Sequence, residues 1–401
     1  MQANFLIDTN MKILHTSDWH LGHLLYGHDR TEEQQAMLDQ MVDIVKAEQP
    51  DLFILAGDVY HTGQPSSEVQ KMLTEAIVRV HDAHPAMYIV VTAGNHDNGS
   101  KHDIFKTPWK ALKVYTVGHF DRKHLEDYII AIPQLCYVIA FPHSYNLTAE
   151  SIEQINQMVH DRNTDRLPVI MTAHTTIQGA NFTGHDRKDD MTVGGIDAID
   201  ISKFGEEYDY LALGHIHKPQ FVHSGKHNVR YSGTPVPVSF DETYEHSVTI
   251  VEINQHGDSV RDHIREITIA NPRPLVTLPV QGTSTLDEAK ELLAAFLSED
   301  HKPSYIRLNV EVEDRLPAGT EADMVKMIEN AGKGHRYCHI NMIRKEKEKG
   351  DVHSLSVQEF NEKEPMEIAR LYAQFKGIAF DEDMEQMFKE AENYNGKEDD
   401  L

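Results

Sequence analysis

Cysteine is nearly absent: Cys136 and Cys338 are the only two in 401 residues. Two are too few for a disulfide scaffold, and such usage suits a reducing cytoplasm. No apolar run approaches the roughly 18 residues that a membrane-crossing helix needs, and no basic, apolar, small-residue leader opens the chain, so neither a spanning nor an ordinarily secreted protein is expected. Positive charge is also short. There are 38 Lys and Arg against 64 Asp and Glu, a net charge of −26, which argues against broad electrostatic adhesion to nucleic acid. Three signature loops are missing: Gly-x-x-x-x-Gly-Lys-Ser/Thr, Gly-x-Gly-x-x-Gly and Gly-x-Ser-x-Gly. Their absence argues against binding ATP or NAD through those loops and against a serine nucleophile elbow. Neither internal repeats nor low-complexity stretches occur.

What the chain has is globular composition, 40% hydrophobic and 25% charged, and length enough for one large domain or two to three ordinary ones. It also has 26 histidines, 20 of them before residue 250. Residues 1–10 carry no clear pattern and read as an extension. From Lys12 short apolar runs alternate with amphipathic segments. Ile13-Leu14 leads into a first strand, and Met37, Met41, Ile44 and Val45 share a helix face. Leu52–Leu55 reads as a buried strand, Val69 to Val80 as a second helix and Tyr88–Val91 as a third strand. This alternation predicts an α/β fold with largely parallel pairing. Past residue 218 the pattern turns β-rich at 229–231, 248–251 and 264–269.

Asn271-Pro272-Arg273-Pro274 reads as a boundary, because two prolines break both ladders and helices. Beyond it a β-α-β-α-β pattern predicts a small α+β cap over 275–345, and the charge run 344–349 reads as a linker. Two short amphipathic helices follow within 350–401, with Ile368, Leu371, Tyr372 and Phe375 on one and Met384, Met387, Phe388 and Ala391 on the other. Residues 346–401 hold 16 acidic and 7 basic side chains.

Five clusters of metal-ligand type each end a predicted strand. They are Asp18-Trp19-His20, Gly57-Asp58, Gly94-Asn95-His96-Asp97, His174, and Gly214-His215-Ile216-His217. Ligands of α/β sheets gather at the carboxyl ends of strands, so these residues are expected on one rim. An X-x-X pair on an extended segment places both side chains on one face, and the glycines permit tight turns. Asp18, His20, Asp58, Asn95, His174, His215 and His217 make seven oxygen and nitrogen donors without cysteine. That is too many for one tetrahedral zinc. It suits two ions of higher coordination number, with Asp58 shared, and fits Mn²⁺, Fe²⁺ or Zn²⁺ better than Mg²⁺ or Ca²⁺. Such a pair clamps the attacking and leaving oxygens of a phosphoryl displacement. Singly, each motif reads better as a turn or a strand edge; it is their order and placement together that point to metal chemistry.

The array D-x-H, G-D-x-x-H, G-N-H-D, H, G-H-x-H resembles that of the calcineurin-like metallophosphoesterases. His15 to Gly22, Ser232-Gly233-Thr234-Pro235 and Ser239-Phe240-Asp241-Glu242 resemble the bacterial SbcD-type nuclease subunits in particular, relatives of the eukaryotic Mre nucleases. The strong match covers about 11–245; the cap and tail match in length, order and helix pattern. The resemblance implies a metallophosphoesterase β-sandwich flanked by helices, with a small α+β cap and a C-terminal helical hairpin. It implies that Asp18, His20 and His217 hold one metal and Asn95, His174 and His215 the other, with Asp58 between them. His96 matches the catalytic histidine at the scissile phosphate or leaving oxygen. His61 matches a second catalytic histidine, though some members have Asp there and a polar turn residue in Tyr60-His61-Thr62-Gly63 is an equal reading. His23, His28, His102, His143 and His185 read as surface or loop residues, with His143 placed to line the cleft.

The implied activity is Mn²⁺-dependent hydrolysis of DNA phosphodiesters, double-strand exonuclease and single-strand or hairpin endonuclease, in DNA repair and recombination. The implied partners are DNA, a second copy of the chain through the nuclease domain, and an SbcC-type coiled-coil ATPase docked on residues 355–392. Tyr372, Phe375, Met387 and Phe388 would anchor that contact. A partner's DNA surface would offset the acidic net charge. A stand-alone phosphodiesterase or phosphatase acting on small nucleotides or phosphoproteins is the alternative enzyme, and a scaffold whose metals only hold the fold is the alternative of another class.

Overall fold

A computed structural model describes residues 11–184, 198–222, 227–257, 259–260, 263–313, 315–344, 363, 365–376, 380–381 and 384–389. Residues 1–10, His185 and the 344–349 linker beyond Arg344 lie outside them. Two six-stranded sheets face each other. In the first, strand β1 (Met11–Thr16) pairs in parallel with β2 (Leu52–Ala56), β2 with β3 (Tyr88–Thr92) and β3 with β4 (Val114–Val117). In the second, β5 (Ile129–Ile132) pairs antiparallel with β6 (Cys136–Phe141), and β6, β7 (Val169–His174) and β8 (Tyr210–Gly214) run parallel. The hairpin of β9 (Gln220–Phe221) and β10 (Val229–Tyr231) closes that sheet beside β8. Strands β11 (Ser247–Ile253) and β12 (Ile264–Thr268) return to the first sheet on the free edge of β1.

The near-continuous apolar strands follow from burial on both faces. In β2, Leu52, Ile54 and Ala56 join the core between the sheets, among Val138, Ala140, Met171 and Leu211. The alternate residues Phe53 and Leu55 pack outward. There they meet helix α1 (Thr31–Glu48), through Met37, Met41 and Val45, and helix α2 (Ser67–Ala83), through Leu73, Ile77 and Val80. Ser66 caps α2 by accepting from the Val69 amide. Strand side chains alternate with period two, so one strand serves both layers. A short helix α3 (Gly99–Asp103) follows the third strand, and α4 (Ala149–Arg162) covers the second sheet with Ile152, Ile155 and Val159. The stretch between residues 98 and 162, with β4, β5, β6 and α4, carried no element in the sequence reading; these strands are only four to six residues long.

The 275–344 segment forms a three-stranded sheet of β13 (Leu275–Leu278), β14 (Tyr305–Val312) and β15 (Arg336–Arg344), with helices α5 (Leu286–Ser298) and α6 (Thr320–Ala331). Thr285 and Glu288 form a capping box at the start of α5. By compactness the chain divides into Met1–Glu311 with Arg315–Ile343, and Val312–Asp314 with Arg344–Leu401. The cap thus lies in the first unit, where side chains tie it to the sandwich. Arg30, Arg273 and Arg336 surround the Tyr305 ring at 5.6–5.7 Å, and Arg336 donates to Asp29 O at 2.7 Å. In the second unit, helix α7 (Pro365–Lys376) leaves Tyr372 exposed, Met387 is exposed, and Arg370 pairs with Glu385. No helix among the described residues is long and apolar enough to cross a membrane.

Candidate metal centre

All seven expected donors sit at carboxyl ends of strands, but on two sheets. Asp18, His20, Asp58 and Asn95 follow β1, β2 and β3 of the first sheet. His174, His215 and His217 follow β7 and β8 of the second. The rim is therefore the seam where the sheets meet. The local geometry also differs from the extended pairs expected. Asp18 (φ 54°), His20 (φ 45°) and Asp58 (φ 48°) all adopt left-handed backbone, which costs a residue with a side chain about 1–3 kcal/mol. Backbone bonds stitch the two turns together and sustain that strain: Asp18 N donates to Gly57 O, and His20 N to Asp58 O, both at 3.0 Å.

The glycines serve differently from one another. Gly57 (φ +85°) takes the left-handed turn that was expected of it. Gly94 and Gly214 have no positive φ; each is needed because a Cβ would collide, with Asp58 and with the Ala56 carbonyl respectively. Close approach, between neighbouring strand ends of the first sheet at Gly94 and across the seam at Gly214, and not turn geometry, demands them.

Ligand atoms of Asp18, His20 and His217 lie within 4.8 Å of one another, as do those of Asp18, Asp58 and His174, and of His20, His61 and His96. Asn95 Oδ1 stands 2.9 Å from His174 Nε2 and 3.0 Å from His215 Nδ1. Asp58 Oδ2 lies between the two groups, 3.4 Å from His174 Nε2 and 3.8 Å from His20 Nε2. Its Oδ1 accepts from His96 N at 2.9 Å. His20 Nε2 and His217 Nε2 face each other at 3.2 Å, and buried His20 Nδ1 has no hydrogen-bond partner among the described residues. Two imidazole nitrogens that close need a shared proton or a shared cation. The donor set, buried yet open at exposed Asn95, fits divalent ions.

Charge supports the same reading. Burial by itself would push His174 and His217 down. The carboxylates beside them, Asp58 for His174 and Glu242 with Asp18 for His217, instead lift both to about 9. Burial raises Asp18 and drives His20 well below its ordinary value. Asp58 would also rise on burial, but His174 holds it well below the usual carboxylate range. Without ions, protons on two histidines balance the buried carboxylates, so loading metal must release protons.

Several supporting residues stood inside motifs of the sequence without a role assigned to them. Glu242 is buried and accepts from His217 Nδ1 at 2.8 Å, which fixes that imidazole with Nε2 toward the centre. Its only trace in the sequence was the Ser-Phe-Asp-Glu segment. Asp97 accepts from Val59 N, Tyr60 N and Gly94 N at 2.8–3.1 Å and binds the β2 and β3 turns together. Ser17 Oγ donates to Asp18 at 2.5 Å.

Two histidines read as surface residues are buried. His102 lies 3.5 Å from Asp97, and His23 packs 4.6 Å from the His61 ring, pushed down to about 2 by burial beside His61 and Arg30. A single sequence cannot distinguish a buried polar partner from a solvated one. His28 bonds the Tyr337 carbonyl at 2.6 Å, while half-buried His143 does line the centre, 6.2 Å from His174 and 6.5 Å from His215.

The calcineurin-like phosphoesterase family model matches residues 11–219. The SbcD component of the nuclease SbcCD from Rhodobacter capsulatus is 32% identical over 313 residues, covering 69% of this chain and 74% of that protein. This chain belongs to the calcineurin-like phosphoesterases, in the SbcD family. The Bacillus subtilis protein of the same name is 27% identical over 87% of this chain and 91% of its own length. The Escherichia coli K12 protein is 33% identical over 60% and 65%. The family match, residues 11–219, takes in every ligand cluster, so this phosphoesterase is a metal-dependent hydrolase of phosphate esters with a binuclear type of site.

Proposed function

We propose that this phosphoesterase is the Mn²⁺-dependent nuclease subunit of a DNA-processing complex, cleaving double-strand ends as an exonuclease and single strands or hairpins as an endonuclease, in repair and recombination. The observation that carries the reading is the convergence of five strand-end clusters, from two sheets, on Asp58. In this reading Asp18, His20 and His217 hold one ion, Asn95, His174 and His215 the other, and Asp58 both. When bound, the ions supply Lewis acidity at the phosphate and a hydrolytic water.

The chain's own part follows from hydrogen bonds. His96 Nδ1 lies 2.9 Å from the His61 carbonyl, so an Nδ1–H donates there and directs Nε2 at the centre. A proton on that Nε2 is then placed for the departing 3′ oxygen. His61, its ring stacked 5.5 Å from that of His96, holds the latter through its carbonyl and faces the same space. The His143 ring walls the other side.

The relatives' names place them in a two-component complex. We extend this to the chain, with an SbcC-type coiled-coil ATPase as partner on residues 355–392. The exposed Tyr372 and Met387 support this, since amphipathic helices of this length are marginal alone and need a surface to bury against. Homodimerisation through the nuclease domain belongs to the same reading, as does a cytoplasmic site of action, which the two free cysteines support.

The test is cleavage of linear duplex and single-stranded DNA by purified protein after chelation and re-addition of metal. Mn²⁺ is expected to restore cleavage better than Mg²⁺, whose demand for octahedral, water-rich coordination this imidazole-rich site meets poorly. Full activity in excess EDTA would refute the two-metal reading. Hydrolysis confined to small nucleotides or phosphoproteins would favour the stand-alone phosphoesterase.

A further inference from the structure

The acidic chain has one conspicuously basic stretch. Residues 97–124, immediately after His96, hold six Lys and Arg against three Asp, a local net of +3 within a total of −26. At its end Arg122 and Lys123 are exposed, and Arg122 Nε donates to Asn146 O at 2.8 Å. No carboxylate pairs with Arg122 among the described residues. The loop it holds carries Tyr145, 83% exposed and the most solvent-open aromatic ring described. Single exposed apolar residues are ordinary; what distinguishes this one is its mounting.

The loop is pinned at both ends. His143 N donates to Ala93 O at 2.8 Å, and its Nδ1 lies 3.3 Å from His174 O, so the loop is fixed to the two strand ends that bear Asn95 and His174. On the other side stands Arg122. The Tyr145 ring meets His143 in one T-shaped contact at 5.1 Å, and the His143 ring stacks at 6.5 Å on that of His215. An exposed aromatic ring in contact with His143 and an exposed guanidinium bonded to the Asn146 carbonyl thus meet at the loop anchored beside Asn95 and His174.

We propose that Tyr145 and Arg122 form a platform for one single-stranded DNA end, a base stacking on the tyrosine while the guanidinium takes a neighbouring phosphate. The proposal rests on the nuclease reading and deepens it. Stacking is indifferent to base identity and to net charge, so it suits an enzyme that must hold any sequence with few cations. The single guanidinium then orients the strand and supplies little of the grip.

The experiment uses the full-length chain with Mn²⁺, a fluorescent single-stranded oligonucleotide and, as reference, ethyl p-nitrophenyl phosphate, a diester too small to span the platform. Tyr145→Ala is expected to raise KM on the oligonucleotide about 5- to 150-fold relative to any change on the reference, from roughly 1–3 kcal/mol per stacked base, with kcat little moved. Tyr145→Trp and Tyr145→Phe are expected to restore it. Arg122→Gln is expected to lower the slope of log affinity against log salt by roughly one phosphate contact in an anisotropy titration. Equal KM for wild type and Tyr145→Ala on DNA overturns the platform, as does a parallel loss on both substrates, which would mean that the loop only positions His143. A wild-type chain that hydrolyses the small diester and leaves DNA intact overturns the nuclease reading, and the platform with it.

Discussion

At the scale of single residues, His96 and the seven donors differ in what they touch. His96 is held by Asp58 through its backbone N–H and by the His61 carbonyl through its ring, and neither bond uses Nε2. Its loss should therefore spare the ions. His96→Ala is expected to lower kcat on DNA by about 10²–10⁴-fold, as for a positioned acid or base, while metal analysis still finds two ions per chain. Loss of an ion in this variant would move His96 among the ligands and undo the assignment. The residues that were legible at this scale announce themselves by chemistry at a strand end. Those that were not, Glu242, Asp97 and His23, act by being buried against a partner distant in sequence. His217 and Glu242 stand 25 residues apart and Asp97 and Val59 38 apart, so no local spacing could pair them.

At the scale of elements, the strand-end turns are the working parts, and Asp97 ties two of them. Its carboxylate is fully buried and accepts three backbone N–H groups. Each orphaned donor costs about 1–3 kcal/mol. Asp97→Ala is therefore expected to destabilise the protein by about 3 kcal/mol, with partial re-solvation offsetting some of the sum; Asp97→Asn, which keeps one acceptor oxygen, should lose less. Urea denaturation with unchanged m-value would measure both. A loss below about 0.5 kcal/mol for the alanine variant, the range of ordinary surface substitutions, would show that the turns hold themselves. Helices and strands flanking these turns follow their sequence patterns closely, with α1, α2 and the strands β2 and β3 covering the expected runs. The turns do not, because left-handed φ at Asp18, His20 and Asp58 is imposed by backbone bonding between β1 and β2.

At the scale of the whole molecule, the centre couples metal, protons and stability. His174 and His217 are lifted to about 9 in the folded chain without ions, above the ordinary 6.5. Their protonation stabilises the metal-free fold fully below about pH 6.5, and that stability is lost as pH rises toward 9. Metal binding has the opposite sign, because ions displace those protons. The rise in Tm on adding Mn²⁺ is therefore expected to grow between pH 6.5 and 8.5, and calorimetric titrations at pH 7 in buffers of different ionisation enthalpy should register proton release. A Tm gain that is flat across this window would mean that these histidines are already neutral before loading. The net charge of −26 also acts at this scale: self-repulsion is relieved when two dications enter an acidic fold, which adds to the same gain.

By itself the sequence determined the chemistry and the layers. Asp, Asn and His set at the ends of apolar runs specify hard and borderline donors on a rim. Alternation within strands and the 3.6-residue stripes of α1 and α2 specify which faces are buried, since both signals are local and repeat along the chain. Tertiary structure decided how many sheets share that rim, which backbones come too close for a Cβ at Gly94 and Gly214, and which polar side chains are buried. It alone set Tyr145 beside Arg122, two residues far apart in the chain and joined through Asn146. The physical reason is range. Periodicity and turn chemistry act over a few residues and can be read in one dimension, whereas close approach, desolvation and hydrogen bonding between distant strands exist only once the two sheets have packed.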